Sequence, residues 1–156
     1  MRFAVVCVSD RCSAGICEDR SGKLLAELVA PLSEETVYRL VPDEQAQIEA
    51  VLCELADREK ADIILTTGGT GFAPRDVTPE ATRDVCDREV PGIAEAMRAH
   101  SLAITPFAML SRALCMQRER HIVINLPGSE KAARENWDGI VDALPHAAKM
   151  MAGGGH

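Results

Sequence analysis

Two aspartates and a glycine-rich stretch have the residue types and spacing most suited to chemistry. Asp43 follows one predicted strand, while Asp76 follows another strand and the run Gly68, Gly69, Thr70 and Gly71. Glycines let a ligand approach the backbone closely, and a loop between a strand and a helix N-terminus turns amide N–H groups toward phosphate. Two carboxylates beside such a loop suit Mg²⁺, which bridges phosphate oxygens. The pattern predicts phosphoryl or nucleotidyl transfer.

Other interpretations of the same residues stay open. The glycine run could be a tight turn that binds nothing, and Asp43 could be the cap of the helix that follows it. No Gly-Lys-Ser/Thr sequence closes the run, so it is not a P-loop, and its spacing is not the usual dinucleotide fingerprint. A ligand-binding domain without catalysis, or an unrelated α/β enzyme, would also fit these residues alone.

The apolar periodicity predicts strands that alternate with helices. This order is typical of an α/β fold with three layers, in which helices flank a mostly parallel sheet. The short connection between the last two strands predicts one antiparallel pair near the C-terminal part. The predicted strands cover 2–8, 36–41, 61–65, 113–117 and 121–126, and the predicted helices cover 23–29, 42–59, 79–87, 93–99 and 130–151.

Three predicted loops would meet at the carboxyl edge of the parallel strands, where open α/β sheets bind ligands. They cover 9–15, 68–76 and 126–129. No linker or repeat divides the chain, so we expect one domain over 1–152 and a flexible tail over 153–156.

Composition narrows the classes of function. The formal net charge of −7 argues against a nucleic-acid or anionic-membrane binder. No apolar run reaches the roughly 18 residues of a membrane span. The six cysteines form no C-x-x-C pair, so free thiols in a reducing cytoplasm are expected.

Several long motifs, in order along nearly the whole chain, resemble the molybdenum cofactor biosynthesis domain family. Within it, the form Arg75-Asp76-Val77-Thr78-Pro79 resembles the Mog-type molybdopterin adenylyltransferases more than the MoaB type. The other motifs that carry the resemblance are Val8-Ser9-Asp10, Pro42-Asp43-Glu44, Thr67 to Phe72, Ile104 to Arg112 and Asn125-Leu126-Pro127-Gly128.

The resemblance implies an enzyme that moves AMP from ATP onto the phosphate of molybdopterin and releases pyrophosphate. A molybdopterin-binding protein without catalysis, like the MoaB type, is the alternative. Mg²⁺ is the implied cofactor, and a homotrimer and hand-over of the product to a molybdenum-insertion protein are also implied. The implied residues are Asp43 and Asp76 for catalysis and metal, Gly68, Gly69, Thr70, Gly71, Ser101 and Ser111 for phosphate and pterin, and Ser9 and Asp10 for nucleotide.

One segment departs from the family pattern. Relatives carry a glycine-containing stretch after the Ser-Arg pair, whereas residues 113–120 here contain no glycine. We therefore expect a different local turn beside Ser111.

Overall fold

The computed structural model describes residues 1–154 and contains one six-stranded sheet in the order β2-β1-β3-β6-β5-β4. The first four of these strands run parallel, whereas β5 pairs antiparallel with both β6 and β4. The predicted mostly parallel sheet with an antiparallel pair is confirmed. The strands are β1 (Arg2–Val8), β2 (Glu35–Val41), β3 (Ile63–Thr67), β4 (Arg88–Glu89), β5 (Cys115–Arg118) and β6 (His121–Leu126).

Helices cover both faces of the sheet. The α-helices are α1 (Asp10–Ser13), α2 (Ser21–Val29), α3 (Gln45–Asp57), α4 (Thr78–Val85), α5 (Pro91–Leu102), α6 (Glu130–Asp138) and α7 (Leu144–Met151). Short 3₁₀ turns cover Ala30–Leu32, Pro106–Leu110 and Val141–Ala143. No helix among residues 1–154 is long and apolar enough to cross a membrane.

Alternating side chains of the central strands build two separate cores. Phe3 and Val5 of β1 pack with Leu25 of α2 and Trp137 of α6. Ala4, Val6 and Val8 face the other way and join α3 and α4, because successive strand residues point to opposite faces. A core on each face of the sheet gives the three layers that the alternation of strands and helices predicts.

The chain order creates a crevice at the carboxyl ends of β1 and β3. From β1 the chain moves to β2 on one side, and it then crosses back to β3 on the other side. Helices α2 and α3 therefore lie on opposite faces, and their separation opens the sheet edge where ligands bind in such folds. The loops after β1, β2 and β3 all reach this edge.

The predicted helix over 130–151 is wrong as a single element. It ends at Asp138, and α7 starts again at Leu144 with Pro145 in its first turn. Gly139, the C-cap of α6, packs closely against α5, since a Cβ there would lie 2.8 Å from the Cβ of His100. Gly153 and Gly154 donate to carbonyls at the end of α7, while the rest of the predicted tail, residues 155 and 156, lies outside the described residues.

Three smaller features lie between the main helices and strands. The polar loop after β1 contains the single helical turn α1, which Ser9 caps by accepting from the Cys12 amide. The two-residue strand β4 had no periodic signal. The glycine-free segment forms β5, in agreement with the strand predicted over 113–117, and then a tight turn in which Glu119 adopts a positive φ of 49°.

Candidate active site

The glycine loop after β3 is held by hydrogen bonds on both sides. The Gly68 amide donates to the Leu126 carbonyl at 3.1 Å, and Thr78 Oγ1 donates to the Gly68 carbonyl at 2.9 Å. Gly68 and Gly69 have φ values of 103° and 67°, which other residues rarely adopt. A Cβ at Gly68 would overlap the Val8 carbonyl oxygen. These two glycines are therefore required by conformation and by close packing.

The same loop leaves amide groups free for a ligand. The N–H groups of Gly69, Thr70 and Gly71 donate to no acceptor among residues 1–154. The loop leads into α4, whose N-terminal end adds partial positive charge. An anion is the natural partner of such a group of amides.

On one side of the loop lies a polar cavity of about 500 Å³, which we call the acidic cavity. Asp43 and Asp76 both line it, together with Ser9, Gly68 and Gly69. The structure thus brings the two predicted carboxylates to one cavity. Other walls come from residues 17–21 of the first loop, from Gly128 and from Glu130.

Asp43 and Asp10 hold each other through reciprocal hydrogen bonds. The Asp10 amide donates to Asp43 Oδ2 at 2.8 Å, and the Asp43 amide donates to Asp10 Oδ1 at 3.0 Å. Asp43 is not the helix cap, since Glu44 occupies that position. Burial raises the pKa of the Asp43 carboxyl, and the negative charges of Asp10 and Asp76 act in the same direction.

Asp10 lies beside the acidic cavity rather than in its wall. Its carboxylate receives two hydrogen bonds from Arg75, at 2.6 and 3.0 Å, and Arg75 also pairs with Glu44 at 2.7 Å. The Arg75 hydrogen bonds lower the pKa of Asp10. The predicted role of Asp10 in nucleotide binding stays a prediction. Its hydrogen bonds with Asp43 indicate that Asp10 also holds the Asp43 carboxylate in position.

The donor set of the acidic cavity fits Mg²⁺. Asp43 Oδ2 accepts from the Asp10 amide at 2.8 Å, and Asp76 Oδ2 accepts from the Ala73 amide at 2.9 Å. The other oxygen of each carboxylate has no donor among residues 1–154. The described residues contain no cluster of three or more His, Cys, Asp or Glu that could enclose a metal. Mg²⁺ needs no such cluster, because it is usually held by one or two carboxylates plus substrate phosphates.

On the other side of the loop lies a smaller cavity of about 280 Å³, which we call the apolar cavity. Thr70, Ser101 and Ser111, which lie far apart in sequence, all line it. Thr70 is 7 % exposed and Ser101 is 3 % exposed, so the two hydroxyls are set within the protein. Gly71 and Pro127 also line this cavity, and the apolar side chains of Phe107, Ala108 and Leu110 form another part of its wall.

Sequence patterns did not single out two arginines near this cavity. Arg98 donates to the carbonyls of Ser111 and Ala113. Arg112 donates to the carbonyls of Gly71 at 2.7 Å and Asp76 at 2.6 Å, and it forms an ion pair with Glu80. In the sequence, Arg112 stands out only as the last residue of the motif from Ile104 to Arg112. No sequence pattern marks Arg98, because the carbonyls that accept its hydrogen bonds are brought close to it by the fold.

Three thiols lie near the acidic cavity. Cys12 and Cys17 line it with their sulfurs 2.9 Å apart, and both are free thiols. Burial raises the pKa of the Cys7 thiol far above its ordinary value, so it stays protonated. Asp19 accepts from the Gly22 amide and the Tyr38 hydroxyl, which anchors the start of α2.

Comparisons with known proteins agree with this architecture. A family model described as "Probable molybdopterin binding domain" matches residues 4–146. The "Molybdopterin adenylyltransferase" of Escherichia coli K12 is 47 % identical over 148 residues, which cover 92 % of this chain and 75 % of that protein. The protein of the same name from Helicobacter pylori is 41 % identical over 158 residues, covering 98 % of this chain and 89 % of that protein.

A solved structure is similar to the same extent. The crystal structure of the molybdopterin biosynthesis enzyme MoaB from Thermus thermophilus has a TM-score of 0.92 and 48 % identity, and it covers 97 % of this chain and 96 % of that chain. Overall identity thus does not decide between an adenylyltransferase and a MoaB-type protein, because a relative named molybdopterin adenylyltransferase is 47 % identical to this chain and a structure named MoaB is 48 % identical. The family model, the relatives and the shared fold together show that this chain belongs to the molybdopterin-binding domain family of molybdenum cofactor biosynthesis.

Proposed function

We propose that this chain is a molybdopterin adenylyltransferase, which transfers AMP from ATP to the phosphate of molybdopterin and releases pyrophosphate. The observation that carries the proposal is the position of the glycine loop between two different cavities. Gly68 and Gly69 line the acidic cavity, whereas Thr70 and Gly71 line the apolar one. A reaction between the phosphates of two substrates requires such adjacent sites. Relatives of that name support the same activity.

In this proposal the acidic cavity takes the ATP phosphates. Ser9 has its Oγ accepting from the Cys12 amide, so its hydroxyl hydrogen is available to a phosphate oxygen. Asp43 and Asp76 would hold Mg²⁺, which when bound neutralises charge on the phosphates. The free amides of Gly69 and Gly71 would stabilise negative charge that builds up at the α-phosphate.

The apolar cavity takes the pterin, with Thr70, Ser101 and Ser111 as its hydroxyl partners. An oxygen of the molybdopterin phosphate attacks the α-phosphorus of ATP. The new P–O bond forms as the bond from the α-phosphorus to the bridging oxygen breaks, and pyrophosphate leaves with that electron pair. The attacking phosphate is already ionised at neutral pH, so the step needs no general base from the chain.

Pyrophosphate release from purified protein with molybdopterin and MgATP tests the proposal. Asp43→Asn and Asp76→Asn should each lower kcat roughly 100-fold or more while the affinity for molybdopterin changes little, because the carboxylates act on the nucleotide side. Asp142→Asn is the matched control, since this exposed carboxylate lies away from both cavities. Full activity in both site variants would refute the assignment of the carboxylates.

The competing function is molybdopterin binding without catalysis. The similarity to the MoaB structure from Thermus thermophilus, which is 48 % identical to this chain, favours this alternative. This alternative predicts that molybdopterin binds to the wild-type protein but that no nucleotide yields pyrophosphate. A time course with ATP and the other nucleoside triphosphates separates the two functions.

We also propose a homotrimer, as the family resemblance implies. Exposed apolar side chains support burial against another copy, since Phe72, Phe107 and Met109 are 71 %, 75 % and 64 % exposed. Light scattering on the purified protein should give three times the monomer mass. Hand-over of adenylylated molybdopterin to a molybdenum-insertion protein is the corresponding proposal for the product, and co-purification of the two proteins tests it.

A further inference from the structure

The apolar cavity is lined by a carboxylate whose negative charge is balanced only by one exposed lysine among residues 1–154. Glu135 of α6 lines this cavity with a side chain only 16 % exposed. Among residues 1–154 its ion-pair partner is Lys131, at 3.7 Å, and that lysine is itself 83 % exposed. Arg98 lines the same cavity but donates to main-chain carbonyls. A carboxylate in such surroundings is unfavourable unless it accepts hydrogen bonds, so a ligand with N–H donors would satisfy it.

The next residue supplies a second acceptor. Asn136 is 5 % exposed, lines the cavity, and donates from Nδ2 to Ser101 Oγ at 3.0 Å and to the Ala132 carbonyl at 2.9 Å. Because a carbonyl only accepts, these bonds fix the amide orientation and use both Nδ2 hydrogens. No residue among 1–154 donates to Asn136 Oδ1. Glu135 and Asn136 thus bring a carboxylate and an amide oxygen to the lining of one cavity.

Two acceptors in the lining of a largely apolar cavity match a flat ring that carries N–H donors along one edge. The 2-amino-4-oxopyrimidine edge of a pterin has this arrangement, with an exocyclic amino group next to a ring N–H. A carboxylate can accept both in a charge-assisted pair. We propose that Glu135 and Asn136 determine specificity for this amino edge, an inference that rests on the proposed function in placing the pterin in this cavity. Replacing the 2-amino group by an oxygen would place a carbonyl against the carboxylate and remove a donor.

The experiment compares 6-hydroxymethylpterin with 6-hydroxymethyllumazine, which differ in the 2-amino and 2-oxo groups. Their intrinsic fluorescence is titrated with the full chain, without nucleotide or Mg²⁺. The wild-type protein should bind the pterin at least roughly 10-fold more tightly, because a site that pairs with an N–H rejects the analogue that lacks it. Glu135→Gln should remove most of this preference, and a urea unfolding curve shows whether the variant is folded.

Lys131→Met is the matched control. It removes the partner of Glu135 in α6 but does not alter the cavity wall, so the preference for the pterin should persist. The proposal is overturned if the wild-type protein shows no preference, which includes binding neither compound up to its solubility limit. It is also overturned if folded Glu135→Gln keeps the wild-type ratio of affinities.

The outcomes distinguish this inference from the proposed function. A wild-type protein that prefers the pterin but releases no pyrophosphate refutes adenylyl transfer and retains the specificity residues. Pyrophosphate release together with an unchanged preference in Glu135→Gln refutes the specificity residues alone.

Discussion

Replacing Gly69 by alanine tests how tightly the glycine loop is tied to the rest of the site. Gly69 has a φ of 67°, and a Cβ there would overlap Thr78 Oγ1 and lie 3.2 Å from Asp43 Oδ1. The positive φ alone costs about 1–2 kcal/mol with alanine. Moving the Thr78 hydroxyl breaks its 2.9 Å bond to the Gly68 carbonyl, at about 1 kcal/mol. The free energy of unfolding should therefore fall by about 2–3 kcal/mol in total.

Gly15→Ala is the control, because Gly15 has a similar φ of 73° but open space around its Cβ position. It should cost about 1 kcal/mol, since backbone strain is partly offset by lower entropy of the unfolded chain. In urea, with an m value of about 2 kcal/mol/M, Gly69→Ala should lower the midpoint by about 1 M and Gly15→Ala by about 0.5 M.

Activity separates the two variants further. The displaced Asp43 carboxylate should lower kcat for pyrophosphate release roughly 10-fold in Gly69→Ala, whereas Gly15→Ala should keep its rate. Equal urea midpoints and equal rates in the two variants would refute the contacts of Gly69 with Thr78 and Asp43, because backbone strain alone would then explain both variants.

Three further predictions concern other parts of the chain. In Mg²⁺-free buffer at pH 7, Asp43→Asn should be more stable to urea than the wild type. The pKa of Asp43 in the folded state lies above the ordinary 3.8, so the wild type loses stability as the pH rises from 3.8 through the folded-state pKa. The gain in stability from the asparagine should therefore vanish below pH 3.8. In the same assay, Asn125→Leu should lower the free energy of unfolding by about 2–4 kcal/mol, because Asn125 donates to two buried threonine hydroxyls and accepts from the Leu114 amide. Thr82→Val removes one of these hydrogen bonds and should lower the free energy of unfolding by about 1 kcal/mol. Arg112→Lys should lower kcat roughly 10-fold in the pyrophosphate assay by losing its planar contacts to the Gly71 and Asp76 carbonyls, and Glu80→Gln, which spares those contacts, should not.

The amino-acid sequence was sufficient for the fold class and for the residues of the glycine loop. Alternating and helical apolar spacing marks the strands and helices directly, because it reflects which face each element buries. The glycines, Asp43 and Asp76 stand at strand ends, and the carboxyl ends of parallel strands share one edge. Their convergence on one cavity therefore follows from local sequence plus the parallel arrangement.

Only the tertiary structure decided which partners each of these groups has. The sequence predicts Asp10 for nucleotide binding but does not indicate its partners: Arg75 donates to its carboxylate, and its amide donates to Asp43. The close packing of Gly139 against His100, which leaves no room for a side chain at residue 139, is a contact that no local pattern contains. No sequence pattern distinguishes Glu135 and Asn136 from other helix residues; the fold places both in the lining of the apolar cavity. Contacts between residues far apart in sequence set the burial and hydrogen bonding of a polar group, and these determine its chemistry.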